Sequence, residues 1–548
     1  MALVNANIYT VNDAAPRAQA VLVEDGVITR VGSDEEILAG LDSQTVVHDL
    51  DGRFLMPGFQ DTHLHVAEAG LFEMMCLFDE TAPSISAYKR QFIDCAELTE
   101  QEDGPWILGV GIAVYDMLKD TSQTPRAFLD ELFPETPVLI LDNLGHAAWA
   151  NSLAMVRAGY ALENPRQPAG GIILTDDQGQ ATGELFENAQ QRLRDLAFME
   201  SDPDQAIAYQ GLLQGLQTMA ENGVTTVSDA GGYWTRNDQD LWFRAEQAGR
   251  MTVRAFNALY LFPDRAHEKQ IQQINALFRN DPNSRVHFNT VKIYVDGILS
   301  LGTSALRQSY RRIVVPELNF ARGFEYFDPH LLQLYSREFV KSGFQLHFHS
   351  TGDRAASIAL DAIAGAQDPA QSSRSRHRIT HNFLVDEADF QRFREFGVTA
   401  DIQLNPGALD RTYYRPFLRE IIGSKREASL LPVRPLLDAD VKVVLSSDYD
   451  AGPLSPLGTI ERALTRRDNK KMAVPTLKKA IEMTTIDVAF ALKQEDRTGS
   501  IEVGKWADMI VLDQDITQIP TKKIGSTKVL ATLLGGEVVF DRQQIFEQ

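Results

Sequence analysis

The chain has 548 residues, 44% of them hydrophobic, and a formal charge of −22. Its length and apolar content exclude a disordered protein and allow one barrel-sized core with a smaller second domain. The acidic balance argues against a phosphate-tracking surface, so nucleic acid is not an expected partner. Two cysteines, Cys76 and Cys95, make neither a disulfide framework nor a thiolate zinc site, which leaves histidine and carboxylate to hold any metal. No apolar run approaches the ~20 residues of a membrane span, and the first residues lack a basic stretch followed by a sustained apolar one. A soluble, cytoplasmic protein without a membrane partner is expected.

In chain order, ALVNANIYTV and AVLVEDGVITRVG come first, both rich in Val and Ile, the second broken by Asp25 and Gly26, a hairpin-forming pair. MPGFQDTHLH follows as the first strand-like run of a long α/β region. Residues of about 70–215 leave too much chain for one crossover helix and are read as an insertion. WILGVGI and PVLILDN are strands of that insertion and ELFENAQQRLRDLAFM a helix, while Phe72, Met74 and Met75 are expected in a core or substrate wall. GVTTVSDAG, VRAFNALYL, TVKIYVDG, FQLHFHS, RITHNFL, VTADIQL and VKVVLSSD then alternate with helical patterns. With the first run they make eight strands, the count of a (β/α)8 TIM barrel. TGSIEVGKWADMIVLD and VLATLLGGEVVFDR close the chain in the style of its beginning, turning at Gly504 and at Gly535 and Gly536. The expected α/β architecture is a barrel over 55–494, with the two chain ends, 1–54 and 495–548, read as parts of one β-domain.

Polar side chains at the carboxyl ends of barrel strands call for a functional reading. His63 and His65 end the first run and, two apart on a strand, share a face; His347 and His349 end the fifth, His381 lies in the sixth and Asp448 ends the eighth. An H-x-H pair alone is a weak signal. Its convergence with histidine and carboxylate from other strand ends points to a metal. Lys292 would bury an ammonium beside these histidines, so it is either paired with Asp296 or Asp229, or converted to a carbamate that supplies an anionic oxygen. Asp353 reads as a helix cap in TGDRAASIALDAIA. Asp61 either orients a histidine or pairs with an arginine.

LMPGFQDTHLH, PVLILDNLGHAAWANS, PAGGIILTDDQGQATGELFE, NGVTTVSDAG, VKIYVDGILS, HSTGDRA, RHRITH, SSDYDAGPLSPLGTIERALTRR and TGSIEVGKWADMIVLD occur in this order. With them the chain resembles the amidohydrolase superfamily, in particular its YtcJ-like branch of N-substituted formamide deformylases and exoenzyme regulators. The resemblance implies a distorted (β/α)8 TIM barrel, a composite β-sandwich domain from 1–54 plus 495–548, and a barrel-mouth metal centre held by His63, His65, a carboxylated Lys292, His349, His381 and Asp448, with Asp448 also shuttling protons. It implies a homodimer as well, and places His146 and Trp149 near the active-site mouth, where His146 either donates a hydrogen bond to substrate or is an ordinary loop histidine. The sequence departs from the family in the extra His347, read as structural with a ligand role left open, in Thr380 where glutamate is common, and in DNLGH before the strand.

Zn²⁺ suits this donor set, as one or two ions, with Mn²⁺ or Fe²⁺ as alternatives. The implied activity is metal-dependent hydrolysis of a non-peptide carbon–nitrogen bond in a small molecule. Hydrolytic deamination of a cyclic substrate with one metal and an unmodified Lys292 is the near alternative. A non-catalytic regulatory homologue is the distant one, disfavoured because each matched ligand position carries a competent residue.

Overall fold

The computed structural model describes the chain apart from residues 73–74, 79–81, 83, 102–104, 113, 115–119, 121, 316–320, 368–374, 450 and 547–548. Eight parallel strands follow one another in sheet order as in sequence: β1 Phe59–Leu64, β2 Val224–Asp229, β3 Arg254–Tyr260, β4 Val286–Tyr294, β5 Gln345–Ser350, β6 Arg378–His381, β7 Thr399–Gln403 and β8 Val443–Ser446. Both faces of such strands are covered, one by helices and one by the barrel interior, so VTTVSD in β2 is buried at every position. Gly58 permits the close approach of β1 to β2, since a Cβ there would lie 2.3 Å from Thr225 Oγ1.

The sheet curls until β8 returns to β1. The Asp448 N–H donates to the His63 carbonyl at 2.9 Å, and Asp61 staples the seam, accepting the His63 N–H at 3.0 Å and the Ser447 N–H at 2.9 Å. Asp61 is therefore neither a histidine-orienting side chain nor half of an arginine pair: backbone donors take both its oxygens. The result is a distorted (β/α)8 barrel.

Strands from the two chain ends share a sheet. Met509–Leu512 runs antiparallel to Phe54–Pro57, with Met509 opposite Pro57 and Leu512 opposite Phe54. The hairpin of Val529–Leu534 and Glu537–Asp541 turns at Gly535 and Gly536, with φ of 56° and 76°. Ala20–Glu24 and Val27–Gly32 pair around Asp25 and Gly26, whose φ values of 49° and 80° are those of a hairpin turn with two left-handed residues. ALVNANIYTV is not one strand: Asn5, at φ 51°, divides it into Ala2–Val4 and Asn7–Tyr9, which lie in different sheets.

Between β1 and β2 a separate six-stranded sheet includes Ile107–Ile112 and Val138–Asp142. ELFE does not start a helix there. It ends the strand Ala181–Glu187, and the helix begins only at Gln191. That strand is hydrogen-bonded to Ala147–Ala150 on one side and Gly171–Thr175 on the other, so tertiary pairing overrides the helical preference of Glu and Leu. Cys76 and Cys95 form a single local disulfide in this insertion rather than a framework. Phe72 packs at the edge of an apolar cluster here, while Met74 lies outside the described residues. No helix among the described residues is long and apolar enough to cross a membrane.

Candidate metal centre

Strand alternation turns His63 inward on β1, and His65 follows at its carboxyl end. His349 is the penultimate residue of β5 and His381 the last of β6. Asp448 lies just beyond β8, and both it and His381 have left-handed backbones, φ 53° and 72°, uncommon outside glycine and concentrated at functional sites. The fold brings these groups together. Asp448 Oδ1 lies 3.0 Å from His63 Nε2 and 3.8 Å from His65 Nε2, and Asp448 Oδ2 lies 3.7 Å from His381 Nδ1. The His349 and His381 ring centres are 4.3 Å apart. Lys292, fully buried in β4, holds Nζ 3.2 and 3.3 Å from the two ring nitrogens of His63.

The donor set fits a small divalent cation. Four ligands about 2.1 Å from a tetrahedral centre stand roughly 3.4 Å from one another, between the two Asp448 Oδ1 distances of 3.0 and 3.8 Å. His349 Nδ1 and His381 Nε2 are buried without a hydrogen-bond partner among the described residues, as expected of atoms meant for an ion. Burial keeps the imidazoles neutral, hence able to coordinate: His65 is pushed down to about 4 and His381 to about 3, and His63 and His349 fall well below the usual histidine value. Burial opposes ionisation of Asp448 too, but the His63, His381 and His65 rings around it outweigh that, and it stays a carboxylate.

The alternative partners for Lys292 are engaged elsewhere. Asp229 accepts the N–H groups of Val66 and Gly231, and Asp296 those of Ala305, Thr351 and Gly352. Asp296 thus fixes the turn after β5, and Asp353 is not the cap expected there. Gly352 occupies the cap position, while Asp353 is the first helical residue and accepts the Arg307 N–H at 2.8 Å.

His146 comes from the insertion and lines the same cavity, whose volume is about 380 Å³. Its Nδ1 is 2.5 Å from Glu187 Oε2, which also accepts the Tyr326 hydroxyl at 2.6 Å, while Thr303 donates to Oε1. Burial alone would lower the His146 pKa, but Glu187 more than reverses this and holds it above the ordinary value; His146 in turn keeps the buried Glu187 ionised. Glu187 sits at φ 54° and ψ −130°, a strained backbone for a residue with a side chain. Sequence reasoning missed it, because a glutamate ending an apolar strand carries no spacing signal. Trp149 is not at the mouth; it is buried in the insertion core, edge-on to Tyr88.

One departure from the family pattern lines this cavity, and another touches it through Gln403. Asn143 and Leu144, from the longer DNLGH segment, line it, and Thr380 accepts a hydrogen bond from Gln403 at 2.9 Å. His347 lies one pleat below His349 and is fully buried.

Residues 46–540 match the model of the amidohydrolase family. The chain belongs to that family. It is a hydrolase of carbon–nitrogen bonds, in the YtcJ-like branch. Over 98% of both chains it is 27% identical to the N-substituted formamide deformylase of Arthrobacter pascens, and over 98% of both it is 26% identical to the putative amidohydrolase YtcJ of Bacillus subtilis. Its fold is similar to that of an uncharacterized metal-dependent hydrolase from Pyrococcus horikoshii, with a TM-score of 0.73, 21% identity and coverage of 95% of this chain and 98% of that one. Members of this amidohydrolase family are metal-dependent, in keeping with the His and Asp groups here.

Proposed function

We propose that this amidohydrolase cleaves the amide bond of an uncharged, N-substituted small molecule, using Zn²⁺ held by His63, His65, Lys292, His349, His381 and Asp448. The observation that carries this reading is Asp448 Oδ1, 3.0 Å from His63 Nε2, with Asp448 and the Glu187-held His146 lining one cavity. When bound, the metal supplies an acidified water and polarises a carbonyl. Asp448 takes the proton of the attacking water and returns it to the departing nitrogen, which balances hydrolysis of the amide to acid and amine. With Nδ1 on Glu187, the imidazolium of His146 presents Nε2–H to the carbonyl oxygen, where negative charge develops.

The cavity supports the substrate class. Ile298, Leu299, Phe383, Tyr413 and Tyr414 contribute apolar and aromatic walls, and no Lys or Arg is found among the described residues lining it. Apart from His146, a substrate carboxylate would have no cationic side-chain partner there. The 27% identity to an N-substituted formamide deformylase favours a formyl or small acyl group on the carbonyl side.

An ammonium on Lys292, within 3.3 Å of both His63 nitrogens, would repel an incoming cation, whereas a carbamate would attract it. A carboxylated Lys292 and two ions therefore belong to this proposal; a single ion with unmodified lysine, and ring deamination, is the second reading. A homodimer acting on small molecules and not on nucleic acid completes it. The disulfide between Cys76 and Cys95 weighs against the cytoplasm, where such bonds are rare.

The test is metal analysis of the purified protein joined to a hydrolysis screen of N-formyl, N-acyl and cyclic amides with Zn²⁺, Mn²⁺ or Fe²⁺ added. Release of a free amine with one or two bound ions is expected. Ring deamination without amide cleavage would favour the second reading, and neither metal nor turnover would end both. Within that assay Glu187→Gln should lower kcat about 10²-fold with little change in KM, the scale of losing one donor to a developing oxyanion. An unchanged kcat would remove His146 from the mechanism.

A further inference from the structure

Two contacts fix the His349 ring. Tyr294 sets its plane, stacking on it with ring centres 4.1 Å apart and 17° between the planes. Within that plane the imidazole could still turn over and exchange Nδ1 for Nε2, so a second contact must choose the edge that faces the cation. Nε2 lies 3.2 Å from the Gly297 carbonyl oxygen, while Nδ1 is buried without a hydrogen-bond partner among the described residues. A carbonyl only accepts. The single proton of neutral His349 therefore sits on Nε2, and the lone pair of Nδ1 is left for a metal ion.

The carbonyl is itself held, because Thr351 Oγ1 donates to the same oxygen at 2.6 Å. That hydroxyl has one proton to give. Ser304 Oγ, 2.5 Å from Thr351 Oγ1, is then the donor to it, which gives a chain of bonds from Ser304 through Thr351 to Gly297. The other acceptor near Thr351 Oγ1 is Asp296 Oδ2, farther off at 3.3 Å and already taking the Ala305 and Gly352 N–H groups. Asp296 also accepts the Thr351 N–H at 3.0 Å, so the residue before Gly297 ties the ends of β4 and β5 together. Thr351 and Ser304 are buried, at 1% and 0% exposure, and water does not compete for these bonds.

We propose that Thr351 is a positioning residue of the metal centre: its hydroxyl holds the Gly297 carbonyl on His349 Nε2–H and so directs His349 Nδ1 to the cation. This rests on the metal-dependent reading above. Ligand histidines are commonly oriented by a carbonyl on their second nitrogen, and here a threonine hydroxyl sets that carbonyl. Thr351 also lines the cavity, but its hydroxyl is spent between Ser304 and Gly297, so it acts through His349 and not on substrate.

The experiment titrates Zn²⁺ and Co²⁺ into the full-length, chelator-stripped protein against a chromophoric competitor, for wild type, Thr351→Val and Thr351→Ser. Val keeps the shape of the side chain but puts a methyl group where the hydroxyl donates. A carbon needs roughly 3.3 Å or more from a carbonyl oxygen, so the Gly297 carbonyl is pushed off its 2.6 Å position. Ser restores the hydroxyl. The expected result is about tenfold weaker binding in Thr351→Val at unchanged stoichiometry, with Thr351→Ser within about threefold of wild type. A long-range ¹H–¹⁵N spectrum of the stripped, histidine-labelled wild type should show the His349 proton on Nε2, its signals being identified by their loss in His349→Gln. Wild-type affinity in Thr351→Val, or a His349 proton on Nδ1 in the wild type, would overturn the proposal. Thermal unfolding of the stripped proteins separates these effects from misfolding, and if Thr351→Val does not fold, a tenfold loss in a folded Thr351→Ser is enough to overturn it. A wild type that binds zinc tightly yet hydrolyses no amide would defeat the proposed activity and leave this inference standing.

Discussion

His63→Ala should strip the centre of metal and lower hydrolysis by at least about 10³-fold, because catalysis here depends on a cation-acidified water. His63 is the hub of the site. Its Nε2 meets Asp448, its Nδ1 meets His347, and its ring centre lies 4.8 Å from that of His381 and 5.4 Å from that of His65. Removing the imidazole takes away a ligand and the ring nitrogen that stands 3.0 Å from Asp448 Oδ1. Metal content by elemental analysis and kcat on an amide found in the screen are the measurements. Retention of a full metal complement with wild-type kcat would mean that the ion sits elsewhere.

Asp448→Asn is expected to behave differently: kcat should fall by about 10² to 10⁴, the usual contribution of a positioned acid or base, while much of the bound metal remains. The amide keeps the shape of the carboxylate and one oxygen for coordination, but it cannot take a proton from water and hand it to the leaving nitrogen. The two variants therefore separate holding the ion from moving the proton. A decisive comparison is kcat per bound ion. If the Asn variant, corrected for metal, turns over like wild type, the proton passes through another group and Asp448 is a ligand alone.

Local chemistry explains what could be read without coordinates. Short apolar runs alternating with longer helical patterns expose the eight barrel strands, since parallel strands are covered on both faces. Strand alternation puts His63 and His65 on one face, and the strand-end histidines are conspicuous against Val, Ile and Leu. Asp25–Gly26 announces its turn because few residue pairs tolerate φ values of 49° and 80°.

Relations between residues far apart in the chain required the folded molecule. Asp61 looked like a partner for a nearby side chain but closes the barrel through the Ser447 N–H, 386 residues away. ELFE has helical composition, and its strand is decided by neighbours on both sides. Glu187 and His146 are 41 residues apart, and they meet only because Ala147–Ala150 and Ala181–Glu187 pair in the inserted sheet. His347 and His63, 284 residues apart, touch because eight strands curl until β5 faces β1 across the barrel. Alternation along a strand determines which way a side chain points. Only pairing register and barrel closure decide what it meets.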